Sequence, residues 1–483
     1  MDKDLASIQE ARDLTVQAYE AWKVWSHASQ EQVDKVCAAM AEAAFAASER
    51  LARLAHEETG YGVALHKKLK NEFAARGVWN SIRDLKTVGV VRVDAARKLY
   101  EIAWPMGVVA ALTPSTNPTS TVIYKILIAV KARNAIVIAP HPSAAKCSYE
   151  AASLMANVAQ ENGAPQGLIA CLQNISLPGT QELMSHKNTS LILATGGTPM
   201  VRAAHSTGKP AFGVGPGNVP VYVDRSADLE KAARYIVASK AFDCSTICAT
   251  EQAVVADAPI ARRLEDLMRQ QGAYFVSEVE ADLLRKLLFT PEGAMNTATV
   301  GKPADVLAAM AGFAIPQGTC VLVARLNQTG AKEPLSREKL TTVLGWYEAN
   351  GWEAGCERCI ELIQFGGRGH SLIIHATDQN VIMAFGLEKP VFRIAVNTMG
   401  TMGAIGVTTG VMPSLTLGAG GVGGSITGDN ISACHLFNIK RLAYETSAPP
   451  LEAMIPGEAR VGPSPQEIEE AVRSAVVELL NAN

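Results

Sequence analysis

From Gly107 onward, short apolar runs alternate with stretches of helical periodicity, and no other feature limits the possible folds as sharply. GVVAAL (107–112), NAIVIAP (134–140), LIACLQN (168–174), SLILATGG (190–197) and PVYVD (220–224) read as strands. Residues 119–131, 143–162, 198–206 and 228–240 carry the helical period between and after them. Strands that are apolar almost throughout and separated by helices belong to a parallel sheet covered on both faces. A second series follows in QAVVAD (252–257), AYFVS (273–277), CVLVA (320–324), SLIIH (371–375) and VFRIAV (391–396). The pattern predicts an α/β protein with two parallel-sheet lobes dividing near residue 240. Residues 397–430, rich in Gly and Thr, read as irregular loops lining a cleft.

Residues 4–58 read as two helices, with Ser29 and Gln32 as a capping box and Thr59-Gly60 as a glycine stop. Residues 86–93 and 97–103 read as a hairpin turning at Asp94-Ala95-Ala96. A two-stranded ribbon has too little core to stand alone, so this one is expected to pack against another subunit. Residues 435–445 read as a late strand and 464–481 as a final amphipathic helix.

Hydrophobic residues make up 48% and charged ones 19% of the 483, which fills two cores and excludes a disordered chain. The 44 Lys+Arg and 47 Asp+Glu leave a formal charge of −3, without the clustered basic charge that nucleic acid or an anionic membrane demands. No apolar run reaches the roughly 18 residues of a membrane span. The polar, acid-bearing start MDKDLASIQEARDL is neither a secretory signal nor a transit peptide. Nine scattered cysteines do not form a disulfide framework, so a reducing cytoplasm is expected. Cys356 and Cys359 form the only C-x-x-C; with no second ligand pair nearby they read as two small helix side chains or a redox pair, and no metal site is expected.

Cys248 stands in Phe242-Asp243-Cys244-Ser245-Thr246-Ile247-Cys248, at the predicted lobe boundary where ligand clefts form. A thiol of pKa about 8.5 is a strong nucleophile through its small thiolate fraction. On spacing alone a buried small hydrophobe is the better reading of Cys248, and its neighbours reverse that judgement. Thr116-Asn117-Pro118-Thr119-Ser120, Ala194-Thr195-Gly196-Gly197, Gly213-Val214-Gly215-Pro216-Gly217-Asn218 and the Cys248 segment occur in order. Glu338-Lys339-Leu340, Gly366-Gly367-Arg368-Gly369-His370 and Pro413-Ser414-Leu415-Thr416-Leu417-Gly418 follow. Together these segments resemble the CoA-acylating branch of the aldehyde dehydrogenase superfamily, over about residues 5–445.

The resemblance implies Cys248 as the nucleophile that adds to an aldehyde carbonyl. It implies Asn117, with the backbone N–H of Cys248, as donors to the resulting oxyanion; losing one such donor costs about 10²–10³ in rate. On sequence alone Asn117 reads equally well as the N-cap of helix 119–131. His370 matches a Gly-rich turn that this branch places near the acyl centre, where it would orient or deprotonate an incoming thiol; a structural histidine is the other reading. Hydrolytic members carry a carboxylate in a Glu-Leu-Gly-Gly-Lys-type motif, and here Val214 stands at the place of that Glu. Without a general base water attacks a thioester poorly, and the acyl group waits for a thiol such as coenzyme A. Cys244, four residues before Cys248, reads as a helical neighbour, a reversible disulfide partner or, the preferred reading, a residue of no consequence for the chemistry.

The resemblance places a nicotinamide dinucleotide, NAD or NADP, on Thr195, Gly196, Gly197, Gly215 and Glu338, and its adenosine ribose on His141 and Ser143. The small residues at 194–197 follow a strand and open a helix, a setting in which backbone amides approach phosphate oxygens. Glu338 without that resemblance is a surface charge. Ala144 stands where NAD-specific relatives have a Glu, so NADP is allowed, and Lys146 would favour it.

The implied architecture is aldehyde dehydrogenase-like. Residues 1–242 form a cofactor-binding domain carrying the 86–103 hairpin, and 243–433 a catalytic domain. Residues 434–483 supply the last strand of a β-hairpin oligomerisation arm and a terminal helix. The arm implies a homodimer or homotetramer. The implied reaction oxidises a small aldehyde to its acyl-CoA in the cytoplasm. Sulfoacetaldehyde ranks first, with Arg393, Arg368 and the Thr408-Thr409 hydroxyls as candidate sulfonate partners, then acetaldehyde and propionaldehyde. A hydrolytic enzyme releasing a free acid and a non-catalytic assembly protein on the same fold are the alternatives.

Overall fold

The computed structural model describes residues 2–291, 293–450, 454 and 462–481. The chain divides into two compact units, one of Met1–Val91 with Ala103–Ile439, the other of Arg92–Ile102 with Lys440–Asn483. Fifteen strands occur among the described residues: β1 Gly89–Asp94, β2 Leu99–Pro105, β3 Val108–Thr113, β4 Ala135–Pro140, β5 Ile169–Cys171, β6 Thr189–Thr195, β7 Ala211–Val214, β8 Val219–Val223, β9 Glu251–Asp257, β10 Ala273–Phe275, β11 Val321–Arg325, β12 Val343–Ala349, β13 Leu372–His375, β14 Ile394–Val396 and β15 Phe437–Ala443.

The first unit holds two sheets, both parallel as the apolar rhythm predicts. The order β5-β4-β3-β6-β7 makes the first, with Ala110 opposite Val137 on one side and Ile192 on the other. The second runs β10-β11-β12-β9-β8-β13-β14. Every residue of β3, β4, β8 and β9 is buried, because helices cover both faces and leave no polar side to alternate with. One core gathers Val109, Ile138, Leu193 and the wholly buried helix Pro118–Lys131. Two others lie on the faces of the second sheet, around Tyr222 and Phe385 on one side and Val221, Ile236 and Leu264 on the other.

Several expectations are corrected. The 220–224 run, expected in the first lobe, pairs with β9 and β13, so the change of sheet falls between Val214 and Val219. β7 and β12 were not expected as strands. β12 (VLGWYEA) has its apolar run broken by Gly345 and Glu348, yet it sits centrally between β11 and β9. Residues 4–58 form three helices, Lys3–Trp25, Gln30–Ala46 and Ser48–Thr59, the last closed by Gly60 at φ 66° as its glycine stop implies. The Ser29 capping box is half made: Ser29 Oγ accepts from Gln32 N, but the Gln32 amide donates to Gly163 O. Cys356 and Cys359 are buried on helix Trp352–Phe365, where Cys356 lies against Lys389 and Glu388.

β1, β2 and β15 form a three-stranded sheet, which joins the hairpin to the late strand as expected. Within the second unit Glu101 faces Arg92 at 3.9 Å and Arg441 at 3.3 Å, and Tyr100 meets Tyr444 edge-on. Helix Pro465–Asn481 also belongs to this unit, with Ile468, Val472 and Val476 exposed. No described helix is long and apolar enough to cross a membrane.

Lys125 ties the first sheet to its helix. Its fully buried Nζ donates to Leu112 O at 2.6 Å and Leu193 O at 2.8 Å, on the adjacent strands β3 and β6. Burial holds its pKa well below the ordinary lysine value. Lys125→Met keeps the length and removes both bonds; urea unfolding of the variant is expected to show a loss of about 1–3 kcal/mol.

Candidate active site

Open α/β sheets bind ligands beyond the carboxyl ends of their strands, where strand order reverses. In the first sheet that place is between β3 and β6. β3 runs out through Thr113 to Asn117; β6 ends at Thr195, and Gly196-Gly197 leads into helix Thr198–His205. A cavity of about 490 Å³ opens here. Its walls include Asn117, His141, Ser143, Thr195, Gly196, Gly197, Gly215, Cys248 and Glu338, drawn from both sheets. A second cavity, of about 780 Å³, shares Gly215, Pro216, Met295 and Glu338 with it and includes His370. The structure thus places the ten residues that the resemblance assigns to catalysis and cofactor binding in one or other of these two cavities.

Cys248 is delivered by an unusual turn. After helix Leu229–Ala241, Asp243, Cys244 and Ser245 take φ of 47°, 50° and 66°, three consecutive side-chain-bearing residues in the left-handed region. Each such residue costs on the order of 1–3 kcal/mol and persists only where its surroundings hold it. Asp243 provides the hold. Its fully buried carboxylate accepts from Val63 N at 2.7 Å, Thr246 Oγ1 at 2.7 Å and Lys67 Nζ at 3.1 Å, and from Lys70 Nζ. Its own N–H donates to His66 Nδ1 at 2.8 Å. Burial pushes the Asp243 carboxyl up, but Lys70, Lys67 and the Val63 N–H more than reverse this and hold it at about 2. Lys67 and Lys70 meet it together because three residues' spacing on helix Ala64–Glu72 stacks them on one face.

Asn117 occupies the N-cap position of helix Pro118–Lys131, but its side chain makes no cap bond. Instead Oδ1 accepts from Lys70 Nζ, and Nδ2 donates to Thr246 O at 2.9 Å and Thr116 Oγ1 at 3.1 Å. The capping bond that one sequence reading of Asn117 implies is therefore not made, and the amide is turned toward the Cys248 loop. Cys248 is half-buried, and its thiol is pushed up to about 12 by burial and by Glu338, against the opposing pull of Arg393 and Lys70.

Glu338 Oε1 accepts from Gly217 N at 2.8 Å, and burial raises its carboxyl to about 7. It is the only carboxylate among the described residues lining either cavity. Val214, at the place of the hydrolytic Glu, is buried and packs with Ile247, Leu415 and Leu417 beside Cys248. A Cβ on Gly217 would lie 2.3 Å from Cys248 O and 2.9 Å from His370 Nδ1, so only glycine lets these three groups meet. His370 Nδ1 lies 3.1 Å from Ser371 Oγ, and its buried Nε2 has no hydrogen-bond partner among the described residues. Burial, then Arg393, lowers the imidazole to about 3, so His370 is neutral at working pH.

Arg393 and Thr408-Thr409 do not reach the Cys248 cavity. The Arg393 guanidinium spends its donors on His370 O, Gly418 O, Gly428 O, Asn430 Oδ1 and Ser371 Oγ. Thr408 pairs with Thr398 and Thr409 with Gly403 O. Arg368 is exposed and lines the second cavity but not the first. Among the described residues the Cys248 cavity contains neither lysine nor arginine.

On the opposite side of that cavity, His141 Nδ1 accepts from Ser143 N at 3.2 Å and sits 2.7 Å from Ser143 Oγ. Thr195 Oγ1 meets Thr416 Oγ1 at 3.0 Å. Helix Thr198–His205 begins at Gly197 with no side-chain cap, leaving its first N–H groups for another acceptor.

Sequence reasoning missed the Asp243–Lys67–Lys70 cluster, Arg393 as a wall tie, and Glu58. Glu58 accepts from Lys146 N at 2.9 Å and Cys147 N at 2.7 Å, which puts a carboxylate at the start of the helix following His141 and Ser143. Ala144 suggested that no carboxylate stood there. One comes instead from helix Ser48–Thr59, and no local signal announces a partner 88 residues away.

Comparison with known proteins agrees with this geometry. The aldehyde dehydrogenase family profile matches residues 3–275. An aldehyde-alcohol dehydrogenase of Streptococcus pneumoniae is 44% identical over 409 residues, 83% of this chain and 46% of that protein; the chain thus spans about half the length of such relatives. A succinate-semialdehyde dehydrogenase (acetylating) of Clostridium kluyveri is 35% identical over 90% of this chain and 95% of its own length. The crystal structure of an acetylating aldehyde dehydrogenase from Geobacillus thermoglucosidasius superposes with a TM-score of 0.92 at 49% identity, covering 93% of this chain and 99% of that one. A profile over more than half the chain, joined to likeness along nearly all of it, places this protein in the aldehyde dehydrogenase family.

Proposed function

We propose that this chain oxidises a small aldehyde to its acyl-CoA through a thioester on Cys248. The observation that carries the reading is the wall around Cys248, which is apolar where a hydrolytic base would stand. Acetylating relatives support it.

The cavities suit the two co-substrates. The uncapped start of helix Thr198–His205 offers N–H groups to phosphate oxygens, and a Cβ on Gly215 would meet nothing within 4 Å, so there is open space beside it. Arg337 and Arg368 line the second cavity, with the unpartnered His370 Nε2. A bound nicotinamide dinucleotide supplies the hydride acceptor, and coenzyme A the thiol that takes the acyl group.

The chain's own residues do the rest. The Cys248 thiol releases its proton to solvent and the thiolate attacks the aldehyde carbon; the oxyanion then needs donors, the Cys248 N–H and the Asn117 amide, which turns one hydrogen from Thr116 to do so. Loss of hydride leaves a thioester, walled by Val214, Ile247, Leu415 and Leu417. His370, held neutral, orients the incoming thiol; a base with so depressed an affinity takes a proton poorly. Glu338 favours a second reading, hydrolysis, because a carboxyl near 7 is a competent base. Its bond to Gly217 N–H directs it to a positioning role instead.

The substrate is a small uncharged aldehyde such as acetaldehyde. Sulfoacetaldehyde, first on sequence grounds, would find no cation among the described residues of the Cys248 cavity, and burying an unpaired sulfonate is costly. The Glu58 carboxylate beside the His141–Ser143 turn favours NAD over NADP, whose 2′-phosphate it would repel.

Three measurements test these points. Reduction of NAD⁺ by acetaldehyde should require added coenzyme A and vanish in Cys248→Ala; cofactor reduction with release of free acid in its absence means hydrolysis. A thiol at about 12 predicts that iodoacetamide alkylation of Cys248 rises about tenfold per pH unit from pH 7 to 9, since only the thiolate reacts; an ordinary thiol levels off near pH 9. In Glu58→Gln the ratio of KM for NADP⁺ to KM for NAD⁺ should fall about five- to tenfold, the change expected from removing one nearby charge.

A further inference from the structure

The Asp243 carboxylate has two buried ammonium groups against it. Lys67 Nζ reaches Oδ2 at 3.1 Å, and Lys70 Nζ meets the same oxygen. Among the described residues neither lysine pairs with any other carboxylate. His66 takes the Asp243 N–H at Nδ1, and burial lowers its pKa, so it adds no charge at pH 7. One lysine neutralises one carboxylate, and burying a second ammonium carries a desolvation cost of its own. The cluster thus holds one positive charge more than Asp243 requires.

The two lysines differ in what else they touch. Lys67 Nζ donates to Thr116 O at 3.1 Å. Lys70 Nζ donates to Asn117 Oδ1 and, at 3.0 Å, to Thr246 Oγ1. An ammonium can only donate and the Thr246 carbonyl can only accept. Between them they leave the Asn117 amide one orientation, with Oδ1 on Lys70 and Nδ2 on the Cys248 loop. A cation held at an amide oxygen also draws electron density from the nitrogen and makes its N–H a stronger donor. Burial lowers Lys70 to about 8 against the opposing pull of Asp243, so the group carries its charge at pH 7.

We infer that Lys70 is a positioning residue of the oxyanion site: from behind the Asn117 amide it fixes which atom faces the sulfur and strengthens that atom as a donor, without touching the substrate. The role depends on the thioester reaction proposed above, in which an oxyanion forms. A positive charge behind the donor stabilises an oxygen that is becoming negative more than it stabilises a neutral aldehyde, so its effect falls on the rate of the chemical step. The surplus charge of the cluster thereby acquires a use that the anchoring of Asp243 does not give it.

The test is a double-mutant cycle on single-turnover formation of NADH from acetaldehyde, with NAD⁺ and coenzyme A present at pH 7. Asn117→Ala should slow the step about 10²–10³-fold and Lys70→Met at least about tenfold. The double variant should match Asn117→Ala within about twofold, because Lys70 then has no amide to act through. A lysine that only supports the fold slows both backgrounds by the same factor, and that additive result overturns the proposal. Lys67 still neutralises Asp243 in Lys70→Met. Should that variant fail to fold, Lys70→Gln replaces it in the cycle; its amide can donate to Asn117 Oδ1 without a charge, so a smaller loss is expected, again absent beside Asn117→Ala. If neither variant folds, Lys67 does not suffice for Asp243 and the proposal falls. Wild-type protein that forms no NADH overturns the thioester reaction and this role together; NADH from the wild type with additive losses overturns this role alone.

Discussion

The buried Asp243 carboxylate and the two lysines that meet it set the terms for the rest of the site. A carboxylate with no exposed surface is tolerable only with its charge balanced and its lone pairs filled, and Lys67, Lys70, Val63 and Thr246 do both. Breaking such a pair by removing one partner costs about 3–5 kcal/mol, more than the strain of any single left-handed residue beside it. The cluster can therefore hold Asp243, Cys244 and Ser245 where an unanchored chain would relax. Through Lys70 it also fixes Asn117, so the sulfur-bearing loop and the amide facing it share one anchor.

The other side of the site depends on close approach. Gly217 lets its backbone touch both Cys248 O and His370, and its N–H holds Glu338. Behind them Arg393 binds His370 O and Gly418 O, so a buried cation reinforces the histidine's turn rather than facing a ligand. Its positive charge also lowers the Cys248 thiol, in opposition to burial and Glu338. With the resting thiol so far up, the sulfur is mostly protonated at neutral pH.

The sequence makes the parallel sheets legible because strands buried on both faces must be largely apolar, and β3, β4 and the middles of β6 and β9 are. It fails where tertiary context overrides the local signal. β12 carries a glycine and a glutamate in its middle, but its neighbours β11 and β9 recruit it. β8 looks like a continuation of the first series and pairs into the second, since nothing within five residues encodes which sheet they join. The site residues that resemblance supplies are local motifs, and these came together as expected. Glu58, Lys67 and Lys70 act across 88 to 176 residues, and their role is invisible without the fold.

In the proposed reaction, Val214 and Glu338 together decide what a thioester on Cys248 would meet. A water molecule attacks a thioester only when something takes its proton, and the packed methyls of Val214 take none. Glu338 has a suitable proton affinity, but affinity alone does not make a base: one oxygen is already tied to Gly217 N–H, and the other must then reach a water that the apolar wall disfavours. A thiol needs less help. Its pKa near 8.5 already gives several per cent of thiolate at neutral pH, and sulfur displaces sulfur at a carbonyl with little change in bond energy. The same apolar wall that leaves water without a base therefore leaves a thiol able to act, and this is the physical ground of the proposed acyl transfer.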